Sequence, residues 1–396
     1  MIHRTDLSRS QQRRFTESII MRLPLIALVV AAFSTGLWAA SATDLGVASD
    51  GKTDVTAAIQ ALLDAGHSEL HFPAGQYLIG TLTVPANVTL SFAPDATIIV
   101  NPAAIADTEA VQINGDGRQM KRRRSLLRVT GDHVRIEGLR FDFASGGTQR
   151  DPTPTEVLID ATNATDVVVR GVHVITSQTP PRRDSRILFN ALDCRDVVLE
   201  NSSARDISHM IWTVQCANVT VRGNNMIGGA SMTTFAFGSE NLRHHDNWSR
   251  QVDFQCVWRG GSPDPSRKAP RVPLGTANVV HRGSRPDDPD FVPHTQGVFD
   301  VLVQNNYAEY GTVLCWGNKG RQIIVDGNIA RFMWDYAYGS EGGENVVFSN
   351  NISINSAVAG FMSMYWGEKL LITGNLVVVR HEPMNGEYTQ RPESAY

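Results

Sequence analysis

A short apolar run that ends on an asparagine recurs along this chain. The copies at 218–224, 322–328, 345–351 and 369–375 are rich in Val, Ile or Leu and end in Gly-Asn or Asn-Asn. Two further asparagines, Asn247 and Asn306, complete a row with Asn224, Asn328, Asn351 and Asn375. The spacings between successive members of this row are 23, 59, 22, 23 and 24 residues. A period of 22 to 24 residues indicates a solenoid, in which each repeat stacks on its neighbours.

The segments between these asparagines have the pattern of short strands and lack helical periodicity, which predicts an all-β fold. Strands stacked in register at this period form a parallel β-helix whose coils lie about 4.8 Å apart. An asparagine buried at the same turn of each coil satisfies backbone groups that the turn leaves unpaired. Similar strand cores at 134–136, 167–169 and 197–199 extend the pattern. We therefore expect roughly ten coils.

Two departures from the repeat mark special segments. The spacing of 59 contains an insertion at 259–297, which either overhangs a binding face or is an ordinary surface loop. Residues 53–65 carry Val55, Ile59 and Leu62 at helical spacing, so we expect a helix that caps the first coil. The predicted segments are a leader at 1–42, a cap at 43–66, a β-helix at 67–380 and a C-terminal tail at 381–396.

The N-terminal residues are typical of a secretory leader. An apolar stretch from Leu23 to Trp38 follows Arg22 and precedes Ala40-Ser41-Ala42, a small-x-small pattern that signal peptidase accepts. We predict a signal peptide that ends at Ala42 and a secreted or periplasmic protein with no membrane span after cleavage; a retained anchor is the alternative. The net charge of −4 gives no general cationic surface, so nucleic acid is not an expected partner.

Four cysteines without a CxxC pair exclude a disulfide scaffold and a zinc ribbon. Cys194 and Cys216 each precede a strand core by three residues and should lie on adjacent coils. Their expected Cα separation of about 4.8 Å permits either a disulfide or two stacked free thiols.

The residues before the first coils resemble a known family. The stretches Gly46-Val47-Ala48-Ser49-Asp50-Gly51-Lys52-Thr53-Asp54 and Phe72-Pro73-Ala74-Gly75-Gln76-Tyr77 are similar to the opening of the pectate-lyase-like (pectin lyase fold) superfamily, in particular its rhamnogalacturonase and epimerase-like branch. The resemblance implies a single-stranded right-handed parallel β-helix with an N-terminal capping helix and a substrate that lies along an exposed sheet. The superfamily contains hydrolases, lyases, epimerases and binding proteins, so it does not select a reaction. The paired aspartates, GHG and RIK motifs of polygalacturonases are absent.

Carboxylates concentrate near one turn of the ladder, where Asp335, Glu341 and Glu344 follow one another closely. Glu344 and Glu368 each precede a ladder asparagine by seven residues, as Arg321 does, so these three should stack on consecutive coils. Two stacked glutamates repel, which separates their pKa values as acid and base catalysis requires. The alternative is an ion pair between Arg321 and Glu344, with Glu368 in solvent.

Aromatic residues fall near the same turn in successive coils and are candidates for a surface on which sugar rings stack. They are Phe237, Trp258, Trp316, Tyr338 and Trp366. Because side chains alternate along a strand, an error of one residue in register converts this surface into a buried aromatic stack, which is the alternative.

The leading functional hypothesis is a polysaccharide-cleaving glycoside hydrolase without a metal or cofactor, whose acid and base come from Asp335, Glu341, Glu344 and Glu368. The second is a lyase on a uronate-containing polymer, for which calcium is an expected cofactor. A lyase needs a base and a cation that neutralises the substrate carboxylate. The candidates for these two roles are Arg259, Lys319, Arg321 and Lys369. The third is a non-catalytic glycan-binding surface protein. In each case the partner is a polysaccharide or oligosaccharide, neutral or acidic.

Overall fold

The computed structural model describes residues 40–105, 107–113, 120–142, 157–175, 186–260, 297–364 and 367–379. These residues form a right-handed parallel β-helix, and the predicted fold class is confirmed. Each coil contributes strands to three faces, which we number in chain order within a coil. The predicted leader segment before residue 40, most of the insertion, Trp366 and the predicted tail lie outside the described residues.

Face 1 is a parallel sheet of twelve strands, close to the number of coils expected. Its strands are Ala40–Ser41, Glu69–Phe72, Thr89–Phe92, Val134–Glu137, Thr165–Arg170, Arg195–Glu200, Ala217–Arg222, Glu240–His245, Val298–Gln304, Gly320–Asp326, Glu344–Ser349 and Glu368–Thr373.

Face 2 follows face 1 across the turn that carries the asparagines. Its separate strands are Asp50–Asp54, Gly75–Ile79, Ala96–Val100, Arg140–Asp142, His173–Ile175, Tyr307–Glu309, Ile329–Arg331, Ile352–Ile354 and Leu376–Val378. Face 3 completes the coil. Its separate strands are Leu82–Val84, Met120–Val129, Val157–Thr162, Ile187–Leu192, Val313–Asn318, Tyr336–Glu341 and Ala359–Met364.

Faces 2 and 3 merge in the middle of the solenoid. The strands Ser203–Val214, Asn225–Ala236 and Trp248–Arg259 have 12 residues each and run through both faces, so the two faces form one sheet, which has 20 strands when the antiparallel strand Asp107–Ile113 is included. The described residues also include an antiparallel strand, Asp107–Ile113, beside Met120–Val129, and a 3-10 turn at Pro102–Ala104.

The asparagine ladder exists as predicted. The Oδ1 atom of Asn328 accepts hydrogen bonds from the backbone N–H of Asn306 at 2.9 Å and from its Nδ2 at 2.9 Å. The same pair of bonds links the other successive ladder residues, from Asn224 to Asn375. Towards the N-terminus the ladder continues at Ser202, whose backbone N–H donates to Asn224. Each turn therefore has its buried polar groups satisfied by the next coil.

The predicted cap is also present. A helix at Thr56–Asp64 buries Ile59 and Leu63 against the first coils, and Val55 just before it is buried as well. Leu62, expected on the same stripe, is only partly buried against the core. The helix is shorter than the predicted 53–65, because the strand Asp50–Asp54 occupies its first residues.

Four buried cysteines form two stacked pairs. Cys256 lies in register with Cys315 on the next coil, and Cys194 and Cys216 occupy adjacent coils. All four are free thiols, so the alternative of a bond between Cys194 and Cys216 does not occur. The thiol of Cys216 instead donates to the backbone oxygen of Val214 at 3.3 Å.

Candidate active site

Three consecutive coils place polar residues at the end of face 3. Arg259 is in register with Asn318, and Asn318 with Glu341. The Oδ1 atom of Asn318 accepts a hydrogen bond from the backbone N–H of Gly260 at 3.0 Å, which holds the centre of this column. The column ends at the short turn to face 1, where Gly342 and Gly343 follow Glu341.

Glu341 has the chemical environment of a proton donor. Burial raises the pKa of its carboxyl above the ordinary value of 4.5, and the positive charge of Arg259 opposes this only in part. A half-buried carboxyl group whose pKa is raised retains its proton to higher pH than a solvated glutamate does. Glu341 was among the predicted catalytic residues, and this environment is what the sequence could not show.

Trp316 lies two strand positions before Asn318 and is half-buried. The guanidinium of Arg259 stands 5.2 Å from the centre of its ring, and Phe254 contacts the ring edge at a centroid distance of 5.9 Å. Among the described residues, the indole Nε1–H has no hydrogen-bond acceptor. The half-buried ring therefore offers an aromatic surface next to the Arg259 and Glu341 column, whereas its indole nitrogen is buried.

Lys319 occupies the turn directly after Asn318. Its backbone N–H donates to the carbonyl oxygen of Glu341 at 3.0 Å, which joins it to the same site. Burial lowers the pKa of its ammonium group. A lysine with a lowered pKa is a better proton acceptor near neutral pH than an exposed one.

Glu344 begins the next strand of face 1 and is held by cations on both sides. Its carboxylate contacts Arg321 through two bonds of 3.1 Å, and Lys369 approaches to 4.0 Å. The predicted stacking of Arg321, Glu344 and Glu368 is confirmed by their register. Glu368 itself is exposed, so the structure contains the ion pair that was the alternative to a glutamate pair.

Asp335 lies outside this cluster. It precedes the strand Tyr336–Glu341, whereas Glu341 ends that strand. Glu341 is six positions after Asp335 along this extended chain, or roughly 20 Å away at about 3.3 Å per residue. Glycosidase carboxyl groups lie no more than about 9.5 Å apart. The prediction that all four carboxylates share one pool is therefore wrong for Asp335.

The prediction of an exposed aromatic surface is also wrong for most of its residues. Trp258 and Tyr338 are 0% exposed, and Phe237 is 2% exposed. The Tyr338 hydroxyl donates to the carbonyl oxygens of Asn328 and Ile352, both at 2.9 Å, which fixes it inside the coil. In register, Trp258 pairs with Gly317, Trp316 with Val257 and Tyr338 with Cys315, so the three rings belong to three different columns. Trp316 is the only one of these rings in the described part of the chain with access to a ligand.

A second polar cluster on face 3 was not anticipated. Asp160 is 5% exposed and accepts a hydrogen bond from Asn190 on the next coil at 2.9 Å. Trp212 is in register with Asn190, and its ring lies 4.7 Å from that of His209. None of these residues belongs to a repeated motif, so only the stacking of coils reveals that they are neighbours.

Among the described residues, no group of three or more His, Cys, Asp or Glu side chains is arranged to hold a metal ion. No helix in that same part of the chain combines the length and apolar character needed to cross a membrane.

No protein-family model and no curated protein matches the chain. Solved structures share its fold. The hyperthermoactive exopolygalacturonase of Thermotoga maritima is 13% identical with a TM-score of 0.55, over 86% of this chain and 91% of the other. The endo-xylogalacturonan hydrolase of Aspergillus tubingensis is 12% identical with a TM-score of 0.55, over 83% and 91%. PfbA, a surface adhesin of Streptococcus pneumoniae, is 13% identical with a TM-score of 0.52, over 87% and 91%.

These similarities establish the fold, which is the right-handed parallel β-helix that the sequence predicted. One of these structures is named as an exopolygalacturonase, one as a hydrolase and one as an adhesin, so the fold by itself does not define the activity.

Proposed function

We propose that this protein is a polysaccharide-active glycoside hydrolase whose proton donor is Glu341. The observation that carries the proposal is the environment of Glu341, a half-buried carboxyl group with a raised pKa beside Arg259 and Trp316. A protonated carboxyl, a cation and an aromatic ring are the groups that bind a sugar and protonate its glycosidic oxygen. The predicted leader supports secretion or periplasmic export, where polysaccharides are found.

The reaction also needs a base, and Glu344 is the best candidate. Glu344 is three positions after Glu341, so their Cα atoms lie at most about 11 Å apart. That spacing admits the carboxyl separation of about 6.5 to 9.5 Å used by inverting glycosidases. Contacts with Arg321 at 3.1 Å and Lys369 at 4.0 Å hold the Glu344 carboxylate in place. Glu344 would then take a proton from the attacking water while Glu341 gives its proton to the departing sugar oxygen.

A panel of acidic and neutral polysaccharides tests this proposal. We expect new reducing ends from at least one polymer, and a loss of at least about 100-fold in kcat for Glu341→Gln, because the amide cannot donate the proton. Glu69→Gln is the matched control, since Glu69 is exposed on a distant strand of face 1. Binding without any new reducing ends would instead indicate a glycan-binding protein and reject hydrolysis.

A lyase is the second candidate, because the pKa of Lys319 is lowered at the same site. In this reaction Arg259 would neutralise the charge of the uronate carboxylate, and Lys319 would remove the proton from the carbon beside it. The glycosidic bond would then break by elimination. The product contains a carbon–carbon double bond that absorbs in the near ultraviolet. If the wild-type chain produces this absorbance from a uronate polymer and the Lys319→Met variant does not, the lyase is favoured over the hydrolase.

A further inference from the structure

The indole of Trp258 lies inside the solenoid, next to the column of Arg259, Asn318 and Glu341. Trp258 is 0% exposed and directly precedes Arg259, the last residue of its strand. It is in register with Gly317 on the next coil, just as Arg259 is in register with Asn318. The ring therefore packs on the core side of the residues that form the candidate active site.

The indole occupies space that side chains of the next coil would otherwise fill. A Cβ atom at Gly317 would overlap the Cγ and Cδ1 atoms of Trp258, and one at Gly320 would lie 2.6 Å from Nε1 and 2.8 Å from Cδ1. Neither glycine has the left-handed backbone that by itself favours glycine. At Gly320 the two atoms nearest to an added Cβ both belong to the indole, so the ring is what excludes a side chain there.

Residues 317–320 form the turn from face 3 to face 1, which we call the Lys319 turn. The backbone of Lys319 is left-handed, with φ of 47°, which is uncommon for a residue with a long side chain. The carbonyl oxygen of Asn318 accepts a hydrogen bond from the N–H of Gly260 at 3.0 Å, and the N–H of Lys319 donates to the carbonyl oxygen of Glu341 at 3.0 Å. The Lys319 turn therefore connects the coil of Arg259 to the coil of Glu341.

Trp258 supports this turn by its shape and not by a hydrogen bond. Among the described residues, its indole N–H has no acceptor. A buried polar group without a partner costs free energy, which a smaller apolar side chain would avoid. What the indole supplies is a flat, rigid surface that contacts the Lys319 turn at both of its glycines.

We propose that Trp258 is a positioning residue, whose indole holds the Lys319 turn at the height at which it fixes Glu341 beside Arg259. The proposal rests on the proposed function, because it takes Glu341 as the proton donor. Without the ring, the turn has no support on its core side and moves inward, and Glu341 moves with it. A displacement of about 1 Å in an active site costs roughly 100-fold in rate.

Kinetics of purified variants test the effect on the reaction. We expect kcat to fall about 100-fold for Trp258→Val, with KM changed less than about threefold, because the residues that contact the substrate remain. Trp258→Phe keeps a ring in place and should retain kcat within about fivefold. Trp258→Leu replaces Trp258→Val if the latter loses its β-sheet circular dichroism.

Phe189→Val is the matched control for loss of a buried ring. Phe189 is also 0% exposed and lies on face 3, three coils before Trp258. Its substitution should lower stability by a similar amount and leave the kcat of the folded protein within about twofold of the wild type. Equal losses of kcat for Phe189→Val and Trp258→Val would overturn the proposal.

Gly320→Ala tests the contact between the ring and the turn. In the wild-type chain the new methyl group meets the indole, so we expect kcat to fall at least about 10-fold. In the Trp258→Val background the opposing atoms are absent, and the same substitution should change kcat less than about twofold. Losses that multiply in the double variant, or an unchanged kcat for Gly320→Ala alone, would overturn the proposal.

A carbon-13 nuclear magnetic resonance titration of labelled glutamate side chains needs no cleavage and separates this proposal from the proposed function. We expect the pKa of Glu341, assigned with Glu341→Gln, to fall towards 4.5 in Trp258→Val and to stay in place in Phe189→Val, because the displaced turn admits water to the carboxyl group. A chain that shows this shift but cleaves no polymer would reject the hydrolase and support the positioning role. An unchanged pKa in Trp258→Val would overturn the positioning role.

Discussion

Glu341 experiences two opposing effects, and their balance determines its chemistry. Burial favours the neutral carboxyl group, whereas the charge of Arg259 favours the carboxylate. The net effect is a raised pKa, so a substantial fraction of Glu341 remains protonated above pH 4.5. The raised pKa also makes the stability of the fold depend on pH. The stabilising contribution of Glu341 is fully present below about pH 4.5 and is lost as the pH rises through the pKa of the folded state.

The first prediction concerns the pH dependence of cleavage. Because Glu341 must be protonated to act as the acid, kcat/KM should fall as the pH rises through its pKa. Arg259→Ala removes the effect that lowers this pKa, so the alkaline limb should move to higher pH while maximal activity decreases. The measurement is a pH profile of reducing-end release, with Arg195→Ala, an exposed residue of face 1, as the control. An alkaline limb that stays in place or moves to lower pH would contradict the assignment.

Single residues also show where sequence reasoning reaches its limit. Glu341 could be selected because carboxylates concentrate near its turn, but its burial depends on packing that no local pattern encodes. Trp258 and Tyr338 looked like surface residues because they lie near the same turn. A strand buries alternate side chains, so a shift of one position reverses the conclusion.

The asparagine ladder is the element in which sequence and structure agree best. Face 1 runs directly into the ladder turn, so residues counted back from each asparagine keep their register, and Arg321, Glu344 and Glu368 stack as predicted. Face 3 is separated from the asparagines by turns of variable length. Its register therefore could not be counted in the same way, and the pairing of Trp316 with Val257 was not foreseen.

The second prediction concerns the stability of a ladder rung. Asn306 is 1% exposed, and its amide links His244, Asn247 and Asn328. Asn306→Ala leaves the backbone N–H of Asn247 buried without an acceptor, and we expect a loss of about 3 kcal/mol in the free energy of unfolding. Chemical denaturation provides the measurement.

Asn225→Ala is the control for this variant, since Asn225 is exposed at the start of its strand, and its change should stay within about 0.5 kcal/mol. Equal losses in the two variants would mean that the ladder bonds contribute little to stability.

At the scale of the whole molecule, each coil contacts only its neighbours, so stability is local along the axis. The third prediction uses the capping helix. Ile59 is 1% exposed, and Ile59→Ala should cost about 3 kcal/mol through the lost burial and the cavity. Amide hydrogen exchange should accelerate first in Glu69–Phe72 and Thr89–Phe92, with the last coils unchanged.

Ala58→Ser, on the exposed side of the same helix, is the control for this substitution and should leave the exchange pattern as it is. Uniform acceleration along the whole chain would show that the solenoid unfolds as one cooperative unit, contrary to this prediction.

The buried thiols have a practical consequence for making this protein. Burial raises the pKa values of Cys216, Cys256 and Cys315, so these groups stay protonated and poorly reactive at neutral pH. No covalent crosslink holds the described coils together. We therefore expect the folded chain to be obtained equally well from a reducing cytoplasm and from an oxidising compartment, without an isomerase and without reshuffling of bonds during purification.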